Sequence, residues 1–182
     1  MFAATIGFFD GVHLGHQKVI ERLKDVAERQ GMKTMVVTFG NHPMEVVHPG
    51  YQQQLLISIE EKVRRIKAYG IDEVVVLQFT KEMMQQPARE FMEKVLRDKY
   101  NVKALLIGYD NRFGKRDPDE TFETYCQYGS ELGINVIEGP RPEECGLFEG
   151  KPVSSSLIRQ LIADGRNEEA ERLIHGATHP LA

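Results

Sequence analysis

The chain has 182 residues, 41% of them hydrophobic and 27% charged, with a net charge of −4 at pH 7. That composition fits one globular domain of about 100–200 residues and excludes a disordered or fibrous chain. Lys and Arg are not gathered into a block, so neither nucleic acid nor a membrane surface is an expected partner. Two cysteines, Cys126 and Cys145, are too few for a disulfide framework, and no signal-peptide pattern opens the chain. A reducing, cytoplasmic setting is the expectation.

Apolar runs alternate with helix-period runs along the chain. Ala3–Phe8 reads as a buried strand, and Gln17–Gln30 as a helix with Val19, Leu23, Val26 and Ala27 on one face, closed by Gly31. The β-branched stretch Thr34–Phe39 is a second strand, followed by a long loop over Gly40–Gln54. Ser58, with Glu61 at the third helical position, opens a helix to Tyr69. Glu73–Gln78 and Ala104–Gly108 are strands, separated by a helix over Pro87–Tyr100. A helix over Thr121–Leu132, a fifth strand over Ile134–Ile137 and two short helices, Ser155–Asp164 and Glu168–Ile174, complete the pattern. This alternation predicts an α/β, Rossmann-like, doubly wound parallel five-stranded sheet, with ligands past the carboxyl ends of the strands.

The segment Gly7-Phe8-Phe9-Asp10-Gly11-Val12-His13-Leu14-Gly15-His16 sits between the first strand and the first helix. A glycine-bearing turn brings backbone close to a ligand, and a helix N-terminus attracts phosphate. His13 and His16, three residues apart, add donors or positive charge where phosphoryl charge builds up. A zinc pair is the competing chemistry, but no third ligand accompanies it. Asp10 suits either ordinary turn chemistry or a nucleotide contact.

Val153-Ser154-Ser155-Ser156-Leu157-Ile158-Arg159 is the second informative stretch. Serines at a helix start are caps, yet three of them with an arginine one turn on can also present hydroxyls, amides and a guanidinium to one anion. Tyr109–Lys115 follows the fourth strand and carries Asp110 and Phe113, a polar hook and a ring suited either to a flat heterocycle or to an ordinary loop. His42-Pro43 follows the second strand in the same way.

Together these motifs resemble a known family. Residues 7–16 look like the HxGH signature of the nucleotidylyltransferase superfamily, and Val153–Arg159 is similar to its ISSTxxR signature. Thr38-Phe39-Gly40-Asn41-His42-Pro43 resembles TFxPHP, and Gly108–Gly114 resembles GxDFRFG, both of the adenylyltransferase module of prokaryotic bifunctional riboflavin kinase/FAD synthetases. Asn41 stands where proline is usual, Asn111 where an aromatic is usual, and residues 116–120 replace a more glycine-rich stretch; the first two fall on the flavin side of the resemblance. One nucleotidylyltransferase domain over 1–182 is expected, with 153–176 its helical phosphate-binding segment and no riboflavin kinase domain. A fused kinase domain would lie outside these residues.

The resemblance implies FMN adenylyltransferase activity: ATP and FMN give FAD and pyrophosphate, with Mg²⁺ accompanying ATP and no dedicated protein metal site. It implies His13, His16, Arg159 and Ser155 as the catalytic group, the last two on the β- and γ-phosphates. Gly7, Phe8, Phe9, Asp10, Gly15, Ser154 and Ser156 are the implied ATP contacts, and His42, Pro43, Asp110 and Phe113 the implied FMN contacts. Two alternatives remain at this point. One is another HxGH transferase with a different phosphorylated acceptor. The other is a non-catalytic flavin- or nucleotide-binding protein.

Overall fold

The computed structural model describes residues 1–48, 50–51, 54–108, 113–115 and 119–175. Five parallel strands form its centre: β1 (Phe2–Ile6), β2 (Lys33–Phe39), β3 (Glu73–Leu77), β4 (Val102–Ile107) and β5 (Asn135–Glu138). Their spatial order is β3-β2-β1-β4-β5, so the chain winds outward in one direction from β1 and then restarts on its other side at β4. The order reverses between β1 and β4, which opens a crevice at their carboxyl ends. The expected doubly wound sheet is therefore present, with each strand within two residues of its predicted limits.

Burial explains why the central strands read as continuous apolar runs. Ala3, Ala4, Val36, Val37, Leu105 and Leu106 are at most 1% exposed, because helices cover both faces of the sheet. On one face α1 (Leu14–Gln30) and α3 (Ile59–Ala68) pack Ile20, Leu23 and Ile66 against Ala3, Val36 and Leu106. On the other, Phe91, Met92, Leu96 and Tyr125 pack against Ala4, Val37 and Leu105.

The second face differs in detail from expectation. The helix expected over 87–100 starts as α5 (Ala88–Phe91) and continues as a π-helix over Met92–Lys99, with Ala88, Phe91, Met92 and Leu96 all buried. The loop after β2 contains α2 (Pro43–Val47): the His42 imidazole Nδ1 accepts from the Met44 amide at 3.1 Å, and Pro43 occupies the first turn. Another short helix, α4 (Lys81–Gln85), is capped by Thr80. α6 (Phe122–Leu132) begins with a reciprocal Thr121–Thr124 capping box.

After β5 the chain forms a small antiparallel hairpin, β6 (Leu147–Phe148) and β7 (Lys151–Pro152), which the sequence reading did not anticipate. Its turn residues Glu149 and Gly150 both have positive φ, the signature of a type I′ turn. The hairpin delivers the chain to α7 (Ser155–Ala163) and α8 (Asn167–His175), which share a third small core of Val153, Ile158, Leu161, Ala170 and Leu173. Gln17 ties this end to the first turn of α1, donating to both Val12 O and Ile174 O at 2.9 Å. Two segments far apart in sequence thereby meet over the crevice. No helix among the described residues is long and apolar enough to cross a membrane.

Candidate active site

The crevice is a cleft of about 660 Å³ whose lining includes Phe8, Asp10, His13, Gly15, His16, His42, Ser154, Ser155, Ser156 and Arg159. Ten sequence-predicted residues thus converge on one space. Tyr51, Gly108, Pro140, Pro142 and Cys145 line it as well.

A tight turn delivers the histidines. Phe9 and Val12 take left-handed backbone angles, with Gly11 at φ +82° between them. Such angles are costly for residues with a Cβ and cluster where a structure holds a functional turn. His13 then takes the N-cap position of α1 in extended conformation, and His16 lies one turn on. Their rings stack at 3.7 Å with 22° between planes, and His16 also meets Phe9 at 4.9 Å. Gly15 permits this: a Cβ there would lie 3.2 Å from the His13 ring and 3.3 Å from Val153 O.

Both imidazoles are uncharged near neutral pH. Burial lowers His13 to about 4, and burial together with His13 and Lys62 lowers His16 well below its ordinary value. The Nδ1 atoms of both rings are buried without a hydrogen-bond partner. Both residues line the cleft. A neutral imidazole can donate one N–H there. Of the two roles open to the pair, donors or positive charge, burial favours donors.

The other wall is the start of α7. Ser154 Oγ accepts from Leu157 N at 3.2 Å and is a true N-cap. Ser155 Oγ donates to Asp10 O at 2.9 Å, fastening α7 to the β1–α1 turn. The Ser155 and Ser156 amides, ahead of the capped Leu157, remain as an anion-attracting terminus. Arg159 makes an ion pair with Asp10, and its Nε donates to Gln54 O at 3.0 Å. Asp10 is 3% exposed and also accepts the Leu56 amide at 3.0 Å. Burial raises the Asp10 pKa, and Arg159 opposes that rise. Asp10 thus orients Arg159 and α7 from beneath.

An aromatic wall stands on the β2 side. The Phe8 and His42 rings meet edge to face at 4.8 Å, and Tyr51 follows His42 at 5.8 Å. On the opposite side Gly108, Pro140 and Pro142 form a backbone-rich, apolar slot.

Several expected contacts belong elsewhere. Gly7, half-buried, and Phe9, 3% exposed, are not among the lining residues, though Phe9 meets the His16 ring. Pro43 starts α2, also outside the lining. Phe113 is a core residue, between Phe91 at 5.6 Å and Tyr125 at 5.1 Å. Its loop end is pinned to the far face of the sheet, where Lys115 N donates to Gln86 O at 2.6 Å. Asp110 and Asn111 lie outside the described residues. Asn41 is structural: its amide exchanges hydrogen bonds with the Phe79 backbone at 2.8 and 3.0 Å, prolonging the β2–β3 pairing.

Sequence reasoning missed Lys62, which is 2% exposed at the foot of the aromatic wall. The one available signal was spacing, since Lys62 shares the buried face of α3 with Ile66.

The FAD synthetase family model matches residues 1–157. The chain belongs to the FAD synthetase family. Among the relatives of this FAD synthetase family member are proteins described as bifunctional riboflavin kinase/FMN adenylyltransferase. That from Buchnera aphidicola subsp. Acyrthosiphon pisum is 34% identical over 93% of this chain and 53% of its own length. That from Escherichia coli K12 is 31% identical over 98% of this chain and 54% of its own. The chain spans about half the length of these curated relatives. The crystal structure of a macrolide-efflux protein from Streptococcus pneumoniae superimposes with a TM-score of 0.79 at 28% identity, over 94% of this chain and 54% of that one.

Proposed function

We propose that this family member is an FMN adenylyltransferase, transferring AMP from ATP to FMN to yield FAD and pyrophosphate. The observation that supports this most is the stacked, uncharged His13–His16 pair facing the same cleft as the α7 N-terminus and Arg159. That is a donor set suited to a triphosphate.

An FMN phosphate oxygen attacks the α-phosphorus of ATP in line. The new P–O bond forms as the bond to the bridging oxygen of the β-phosphate breaks, and pyrophosphate carries away the electron pair. No protein nucleophile is required. His16 and His13 donate N–H hydrogen bonds to the α-phosphate oxygens as charge gathers, and their burial strengthens those bonds. Arg159, with the Ser155 and Ser156 amides at the start of α7, holds the β- and γ-phosphates of the leaving group. Among the described residues no group of three His, Cys, Asp or Glu side chains could hold a metal. Mg²⁺, arriving with ATP as part of the substrate, would supply neutralisation of the phosphate charge.

The aromatic wall of Phe8, His42 and Tyr51 suits the isoalloxazine ring, and the slot of Gly108, Pro140 and Pro142 suits adenine. Phe8, an ATP contact by the resemblance, touches His42, which supports a place for it on the flavin side. In the longer relatives, this chain corresponds to the adenylyltransferase half.

Incubation of the full chain with ATP, Mg²⁺ and FMN, followed by chromatography, should show FAD and pyrophosphate in equal amounts. Absence of FAD despite bound ATP would overturn the reading in favour of another acceptor.

A further inference from the structure

Lys62 is the one buried lysine among the described residues. Burying an ammonium is costly unless every donor is satisfied. Here one N–H reaches Phe8 O at 3.0 Å and another reaches Phe39 O at 2.8 Å, the chain leaving β1 and the end of β2. The nitrogen also stands 4.5 Å from the centroid of the Phe8 ring, a cation–π distance. An ammonium has three donors. Two carbonyls take two of them, and the Phe8 ring face lies beside the charge. Among the described residues it forms no ion pair, and Asp10 acts on it only at longer range.

What Lys62 grips is the root of the aromatic wall. Phe8 is held through its carbonyl, which also accepts from Thr38 Oγ1 at 2.9 Å, and through its ring. The far edge of that ring meets His42. The Phe39 carbonyl lies at the start of the segment leading to His42. The chain from β1 and the chain from β2 are thus joined by one side chain, reaching up from α3.

We infer that Lys62 is a positioning residue for the acceptor: held between the Phe8 and Phe39 carbonyls, it sets the angle of the Phe8–His42 wall that receives the flavin ring. The inference rests on the proposed FMN reading. The phosphate-binding elements, His13, His16 and the start of α7, take no hydrogen bond from Lys62, whose charge is the smallest of the three causes that lower His16. Its removal should therefore separate the two substrates.

The test uses Lys62→Met, which keeps the stem and removes the ammonium. The KM for FMN should rise about tenfold or more, while binding of α,β-methylene-ATP stays within about threefold and the melting temperature is little changed. Thr38→Val, which releases the same Phe8 carbonyl from its other side, should shift the FMN KM in the same direction by a smaller factor. The double variant should fall short of the product of the two single effects. An unchanged FMN KM in Lys62→Met overturns the inference, as does an equal loss for both substrates. Should Lys62→Met not fold, Thr38→Val decides: a selective loss for FMN supports the wall's anchoring, and no loss overturns it. Wild-type protein that binds ATP but not FMN would sink the FMN reading itself, a result distinct from any of these.

Discussion

The β1–α1 turn and the start of α7 meet the cleft with opposite chemistry. The turn offers two stacked imidazoles, sealed at Nδ1 and uncharged near neutral pH. The helix offers hydroxyls, amides and a guanidinium held by a buried carboxylate. On the proposed reading the first set, buried and neutral, adds little to ground-state attraction for ATP and acts as charge develops, while the second, with its guanidinium, serves to bind. Catalysis gains from interactions that strengthen in the transition state, and attraction that is equal throughout lowers KM instead.

The largest effect should come from breaking the neutral set. His16→Ala is expected to lower turnover by about 10²–10³, the usual cost of removing one donor from such a site. Its melting temperature should hold, because the lost ring carried an unpartnered buried Nδ1. Steady-state FAD formation beside thermal denaturation checks this, and near-wild-type turnover would refute the role given to His16.

Acid stability probes the same pair. His13 titrates near 4 in the folded chain against an ordinary 6.5. Between those values the unfolded state binds more protons, so stability is complete above about pH 6.5 and declines as pH falls toward 4. The loss should be on the order of 3 kcal/mol for His13, with His16 acting in the same direction. Urea unfolding at pH 7 and pH 4 should show it, and His13→Asn should lose less than wild type over that range. A turnover profile with an inflection near 6.5 that disappears in His13→Asn would contradict the neutral-donor reading.

On the charged side, Asp10→Asn should act through Arg159. The Asn oxygen can still accept from Leu56, but the ion pair is gone. The KM for ATP is expected to rise roughly tenfold, about 1.4 kcal/mol, with the KM for FMN steady. Equal rises in both would mean that Asp10 shapes the whole turn rather than orienting the guanidinium.

The same two regions differ in how far they could be read from residues alone. The His13–His16 spacing and the serine run with Arg159 are local patterns, and local patterns survive without coordinates. So did the strands, whose β-branched runs are buried on both faces. Phe113 misled because its place after β4 suggests the cleft, while the Lys115–Gln86 hydrogen bond draws the loop's end to the other face. Lys62 was hidden because a lysine amid Glu60, Glu61, Arg64 and Arg65 reads as solvent-facing. Its partners, the Phe8 and Phe39 carbonyls, are backbone atoms with no mark in the sequence. The ionisation of the histidines was equally hidden, since it depends on packing around Nδ1 rather than on identity.

Asn41 provides the smallest and most discriminating change. It departs from the proline of the family pattern, and that departure first pointed to the flavin. Its amide instead exchanges two hydrogen bonds with the Phe79 backbone. Asn41→Ala should therefore cost about 1–2 kcal/mol of stability, two hydrogen bonds of ordinary strength, with both KM values within about threefold of wild type. Denaturant unfolding and substrate titration on one preparation separate the two effects. A selective rise in the KM for FMN, without loss of stability, would return Asn41 to the acceptor site and place the end of β2 in direct contact with flavin.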